Sequence, residues 1–143
     1  MSSSSQSWTT HSAEETMQAG REMAAMLAAP KLLILRGDLG AGKTTLVKGI
    51  AAGLGAAKEP DVTSPTFTLV HEYESSLYHL DLYRLEKEGE LHTLGIDEMQ
   101  RGDALVLIEW GEKFSSLVAR ADGEIVLEHA GGDVRKITLR LNQ

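Results

Sequence analysis

The sequence predicts one α/β domain: a mixed sheet of about seven strands, helices on both faces, and antiparallel hairpins at the sheet edges. Three observations carry that prediction. Two short apolar runs, residues 32–35 (Leu-Leu-Ile-Leu) and 104–108 (Ala-Leu-Val-Leu-Ile), have the length of strands buried on both faces. Stretches of helical period stand around them. Residues 66–73 and 77–83 instead alternate with period two across only three residues, Glu74, Ser75 and Ser76, which is the pattern of a hairpin.

Residues 1–6 read as a short flexible lead, with neither a basic segment nor an apolar one of the kind a secretory signal needs, so the domain is expected over 7–143. Residues 8–11 are a candidate first strand. Ser12 followed by Glu15 is a capping box, and the helix it opens is expected to run to about Ala28, with Met17, Gly20, Met23, Ala24 and Leu27 on one stripe. The strand 32–35 leads into a glycine-rich turn. A second amphipathic helix follows, with Leu46, Val47, Ile50, Ala51 and Leu54 inward and Gly55 as its stop. After the hairpin, residues 85–94 read as an acidic helix weakened by Gly89, and 95–103 as irregular. The run 104–108 ends on Glu109 and Trp110. A short helix is expected over 112–119. Strands 124–129 and 135–141 then flank Gly131, Gly132 and Asp133 as a last hairpin.

Composition narrows the function classes. Of 143 residues, 42% are hydrophobic and 24% charged, which is ordinary for a folded domain. Cysteine is absent, so a disulfide framework, a thiol nucleophile and cysteine-rich zinc sites are excluded. Fourteen basic residues stand against 21 acidic ones, a net charge of −7 that gives no general attraction to nucleic acid or to an anionic membrane. No apolar run approaches the ~20 residues of a membrane span. A soluble, cytoplasmic protein is expected. The five histidines form no metal-ligand spacing; His79 and Asp81 share one strand face and read as a hydrogen-bonded structural pair.

The chemistry is concentrated after the first buried strand. Gly37-x-x-x-x-Gly42-Lys43-Thr44 is a complete P-loop set between a strand and a helix, so the expected fold is a P-loop NTPase-like domain. The expected nucleotide-binding residues are Gly37, Asp38, Leu39, Gly40, Ala41, Gly42, Lys43, Thr44 and Thr45. Glycines let successive N–H groups face a phosphate, and the helix adds its positive end. Lys43, read as a loop residue packed against nothing essential, supplies charge to the phosphates, and the Thr44 hydroxyl is a Mg²⁺ ligand. Such a site also needs carboxylates, and two are candidates. Glu109 closes a buried strand, and Asp81 lies within a strand between leucines, where an ordinary surface acid is out of place. Spacing leaves metal ligation and water activation undivided between them. Thr63, Ser64, Pro65 and Thr66 have the position and hydroxyl content of a switch segment, with Phe67 expected to anchor the strand that follows. No Asn-Lys-x-Asp guanine-reading segment is present, so ATP is the expected nucleotide.

Gly-Asp-Leu-Gly-Ala-Gly-Lys-Thr-Thr (37–45), Thr-Ser-Pro-Thr-Phe-Thr-Leu-Val (63–70), His-Leu-Asp-Leu-Tyr-Arg (79–84) and Ile-Glu-Trp (108–110), in that order, resemble the bacterial TsaE (YjeE) family. The resemblance implies an ATPase that assists formation of threonylcarbamoyladenosine at position 37 of tRNAs reading codons that begin with A. It further implies that the chain acts by docking on a TsaD–TsaB-type heterodimer, so that tRNA is met only indirectly. Lys43 and Thr44 then hold phosphate and Mg²⁺, Glu109 resembles a second metal-side acid, Asp81 a catalytic one, and Ser64, Pro65 and Thr66 the switch. The loop ending in Arg135 matches too loosely for a phosphate role to be assigned. The competing readings are a small-molecule P-loop kinase and a nucleotide-gated binding module. The kinase reading is weakened because the long irregular stretches hold only Arg101 as a lid arginine.

Overall fold

A computed structural model describes residues 3–27, 30–38, 41–74 and 76–142. The chain order is β1 (Ser3–Thr10), α1 (Ala13–Ala24), β2 (Lys31–Gly37), α2 (Lys43–Leu54), β3 (Val70–Tyr73), β4 (Leu77–Asp81), α3 (Ile96–Arg101), β5 (Leu105–Glu109), α4 (Ser115–Arg120), β6 (Gly123–His129) and β7 (Arg135–Asn142). Short 3-10 turns cover Glu59–Asp61, Glu88–Leu94 and Gly111–Lys113. The strands form one sheet in the order β1-β7-β6-β2-β5-β4-β3. Its centre, β6-β2-β5-β4, is parallel, while β7 pairs antiparallel with both β6 and β1, and β3 closes the other edge antiparallel to β4. This is the mixed α/β sheet with edge hairpins that the sequence predicts.

Burial follows the pleat. Leu33 and Leu35 of β2 join Leu105 and Leu107 of β5 beneath α1 and α2, packed on Met23, Leu46 and Ile50. Leu32, Val106 and Ile108 face the other way, onto Ile96 and Met99 of α3 and Phe114 and Leu117 near α4. Helices therefore cover both faces, and the central strands are apolar on both sides.

At the start of α1 the Ser12 hydroxyl accepts from the Glu15 N–H at 3.1 Å, and the Glu15 carboxylate reaches back to the His11 N–H at 2.8 Å. The reciprocal bond thus lands one residue before the usual partner. Helices α1 and α2 meet backbone to backbone: a Cβ on Gly20 would lie 2.5 Å from the Leu46 carbonyl oxygen, and one on Gly49 would run into the Met17 carbonyl.

Several expectations are corrected. The first strand begins at Ser3, so residues 3–6 of the expected lead pair with β7 from Asn142 back to Leu139. Its serines carry no apolar alternation, which is why a polar edge strand escaped the period-two reading. Strand β3 is shorter than 66–73, because Leu69 adopts φ 71° and the chain turns there, its N–H bonded to the Pro65 carbonyl. Phe67 anchors nothing in the sheet; it is 82% exposed. The stretch 85–94 is 3-10 from Glu88 rather than α-helical, and a true helix, α3, stands in the stretch read as irregular. Gly95, at φ 75°, turns the chain between the two. The helix expected over 112–119 divides at Phe114. Helix α1 ends at Ala24, short of the expected Ala28, which together with Ser75 of the hairpin turn lies outside the described residues.

Candidate functional site

Three parallel strands bring their carboxyl ends together, the usual place for a ligand in an α/β sheet. Register does the positioning. Leu35 of β2 lies opposite Glu109 of β5, and Glu109 lies opposite Asp81 of β4, so the two acids are neighbours across the sheet at the end where the P-loop leaves β2. Both are buried, at 4% exposure each.

Gly37 ends β2. Asp38 offers its carbonyl to the Ala41 N–H at 3.0 Å, and Ala41 is fully buried. Gly42 sits at φ 101°, a left-handed conformation that favours glycine, and caps α2 with no side-chain hydrogen bond. No acid stands in the first turn of α2, so its leading N–H groups keep their affinity for an anion. Leu39 and Gly40 lie outside the described residues.

Lys43 corrects the loop expectation. It is the first residue of α2, 7% exposed, and its Nζ donates to the Gly37 carbonyl at 2.8 Å. The same Nζ is 3.4 Å from Glu109 Oε1 and 5.1 Å from the centre of the Trp110 ring. The other Glu109 oxygen, Oε2, lies 2.5 Å from His79 Nε2. His79 is fully buried and pairs with Glu109, not with Asp81 as the shared strand face suggested. Burial pushes the Glu109 carboxyl up; the His79 hydrogen bond, then the charges of His79 and Lys43, outweigh it and hold Glu109 below the ordinary carboxylate range.

Asp81 is fixed differently. Its Oδ1 accepts the Tyr83 N–H at 2.9 Å, and its Oδ2 accepts the Thr66 hydroxyl at 3.2 Å. The turn beyond it is held by Lys113, whose Nζ reaches the carbonyls of Tyr83 at 2.8 Å and Leu85 at 2.6 Å. Thr66 also shares a 2.7 Å hydrogen bond with Ser64. Of the switch-like residues, Thr66 therefore reaches the acid directly and Ser64 only through Thr66. Pro65 is buried, and the backbone carbonyl of Thr63 lies 3.1 Å from His71 Nδ1 on β3.

These groups enclose one cavity of about 200 Å³, lined by Gly42, Lys43, Thr44, Thr45, Ser64, Thr66, Asp81, Glu109 and Trp110. A second, of about 150 Å³, shares Gly42 and Thr45 and continues along the loop past Ser12, Thr16, Asp133 and Arg135. Arg135 has a clear place there: its Nε donates to the Ala41 carbonyl at 3.2 Å, tying the β6–β7 turn to the P-loop.

The same residues carry the relationship to known proteins. The family model described as "Threonylcarbamoyl adenosine biosynthesis protein TsaE" matches residues 10–137, which include the P-loop, the 63–66 segment, Asp81 and Glu109. The chain belongs to the TsaE family. The tRNA threonylcarbamoyladenosine biosynthesis protein TsaE of Bacillus subtilis is 42% identical over 134 residues, covering 92% of this chain and 82% of its own. That of Treponema pallidum is 38% identical over 130 residues, with 90% and 95% covered. Among solved structures, the crystal structure of Bacillus subtilis YdiB superposes with a TM-score of 0.75 at 34% identity, over 99% of this chain and 88% of that one. The TsaE role is in tRNA threonylcarbamoyladenosine biosynthesis. Sequence reasoning named Asp81 and Glu109, which the fold brings to one cavity, and gave His79 the wrong one of the two as its partner. The shared strand face of His79 and Asp81 was the local signal, and it misled because the register of β4 against β5 brings Glu109 within reach instead.

Among the described residues no helix is long and apolar enough to cross a membrane.

Proposed function

We propose that this chain is a Mg²⁺-dependent ATPase that serves tRNA threonylcarbamoyladenosine biosynthesis through a TsaD–TsaB-type heterodimer in the cytoplasm, meeting tRNA only through that complex. The observation that supports it most is the single cavity in which an uncapped helix N-terminus, Lys43, Thr44 and two buried acids converge.

The residues present fit both groups. A triphosphate needs N–H donors and a cation, which the α2 N-terminus and Lys43 supply. Magnesium prefers hard oxygen donors and keeps several waters, so the Thr44 hydroxyl with one or two carboxylates suffices. No cluster of three or more His, Cys, Asp or Glu stands ready to hold a metal among the described residues, so phosphate and water must complete its shell. Bound there, the ion neutralises charge that develops on the phosphates. Glu109 serves the metal side through the oxygen nearer Lys43. Asp81, fixed by the Tyr83 N–H and the Thr66 hydroxyl, orients the attacking water, and Ser64 and Thr66 couple that water site to the exposed segment around Phe67. The net charge of −7 suits a protein that grips a protein complex rather than RNA.

The test is ATP turnover by the full chain, alone and with the purified heterodimer. Turnover should be weak alone and rise with the heterodimer, and Asp81→Asn should lose turnover while keeping nucleotide affinity. A chain that binds no MgATP, or that moves the γ-phosphate to a small molecule instead of water, overturns the reading.

A further inference from the structure

We infer that His79 is a positioning residue for Glu109: it fixes which carboxylate oxygen faces the metal and nucleotide, an inference that rests on the ATPase reading above. His79 stands on β4 opposite Leu107 of β5, two residues before Asp81 and with Glu109 two residues further along the neighbouring strand. It is fully buried, and its Nε2 lies 2.5 Å from Glu109 Oε2. Its other ring nitrogen, Nδ1, is buried without a hydrogen-bond partner among the described residues. A histidine kept for packing has its buried nitrogens satisfied, or is replaced by an apolar side chain of similar size. Here the one hydrogen bond of the ring, from Nε2, goes to a carboxylate oxygen.

That leaves Oε1 as the oxygen of Glu109 on the Lys43 side, 3.4 Å from Nζ. In the free chain two groups therefore orient the carboxylate. When Lys43 turns to the phosphates, as a P-loop lysine must, His79 is the partner that stays. Magnesium demands near-octahedral geometry. Donors behind a ligating group set its orientation, and removing one typically costs about 10–100-fold in metal affinity or activity. The Nε2–H of His79, donating to an ionised Glu109, is such a donor.

Substitutions that differ in reach separate positioning from packing. In His79→Gln the side-chain amide reaches about as far as Nε2; in His79→Asn it falls short; in His79→Leu the donor is gone. For the full-length chain, folding is followed by circular dichroism and Tm. ATP affinity without metal is measured in EDTA by calorimetry, and Mn²⁺ affinity of the ADP complex by electron paramagnetic resonance. Metal-free affinity should stay within about twofold in all three variants, while Mn²⁺ affinity falls about 10–100-fold in the Asn and Leu variants and is largely retained in the Gln variant. Equal Mn²⁺ affinity in the Asn and Gln variants overturns the inference, whether or not the Leu variant folds. So does a parallel loss of metal-free and metal-bound affinity, the mark of a structural role. Wild-type protein that binds nucleotide normally beside unaffected variants removes this inference alone; wild-type protein that binds no MgATP removes the ATPase reading and this inference with it.

Discussion

Gly20→Ala tests the packing that holds the P-loop helix in place. The added Cβ would lie 2.5 Å from the Leu46 carbonyl oxygen, 2.9 Å from the Ile50 nitrogen and 3.1 Å from the Gly49 carbonyl carbon. The first of these is roughly 1 Å short of an ordinary contact, and all three atoms belong to the backbone of α2, so no side chain can rotate away. Overpacking of this kind costs about 1–3 kcal/mol, and a rigid backbone neighbour places it at the upper end. Alanine in place of glycine within α1 returns about 1 kcal/mol of helix propensity. The net loss is about 2 kcal/mol, or about 7 °C in Tm for a chain of this length. Gly89→Ala is the control, because its Cβ would meet nothing within 4 Å. Thermal unfolding followed by circular dichroism reads both. A Gly20→Ala protein as stable as wild type would show that the helices do not meet backbone to backbone. The proposed chemistry is linked to this contact because α2 begins at Lys43, so any shift of the helix moves Lys43 and the cavity it lines.

Three further outcomes follow from the site. Lys43→Ala should cost about 1.5–3 kcal/mol without ligand, since it removes a charged donor to Gly37 and a cation beside Glu109. It should also abolish the rise in Tm with MgATP, which in wild type at 100-fold excess over Kd is about 9 °C. Glu109→Gln should be less stable than wild type at neutral pH. Because the folded carboxyl titrates below its unfolded value, its contribution is full above the ordinary carboxylate range and is lost as pH falls through the depressed one. The gap between the two proteins in urea unfolding should therefore close on acidification, and a gap constant to pH 3 would refute the network. The Ser64→Ala, Thr66→Ala double variant should keep nucleotide affinity in calorimetry. It should lose the dependence of heterodimer affinity on ATP-analogue against ADP, a dependence that in wild type is typically ~5–150-fold. Heterodimer affinity independent of nucleotide in wild type would refute that coupling.

The parts of the fold that were legible are those where one residue type decides. The runs 32–35 and 104–108 are apolar because both their faces are covered, and Gly42 stands where φ is 101°. The parts that were not legible depend on partners far along the chain. Ser3–Thr10 is a strand because β7 offers its free edge, a fact carried by residues 135–142 rather than by the serines. Pairing of His79 with Glu109 needs the parallel register of β4 against β5 across 30 residues, whereas the two-residue interval to Asp81 was the only relation visible locally. Phe67 looked like a strand anchor because Thr66 to Leu69 alternate; the period breaks at the adjacent Leu69 and Val70, and the positive φ of Leu69, just ahead of the strand, has no signature in a leucine.

Lys43 shows how the two halves of the site depend on each other. In the free chain its charge lies between the Gly37 carbonyl and Glu109, beside the Trp110 ring, and away from water. On the ATPase reading a nucleotide exchanges those contacts for phosphate oxygens, so its affinity is a difference between two sets of interactions rather than the strength of one. The exchange also releases Oε1 of Glu109 on the cavity side, where a metal carried with the phosphates would need it. Phosphate without metal takes Lys43 and leaves Glu109 facing an anion; metal without phosphate meets a carboxylate already neutralised by a lysine. Each alone is opposed, and together they satisfy every charge, so nucleotide and Mg²⁺ should bind cooperatively as a consequence of where the P-loop lysine rests in the free chain.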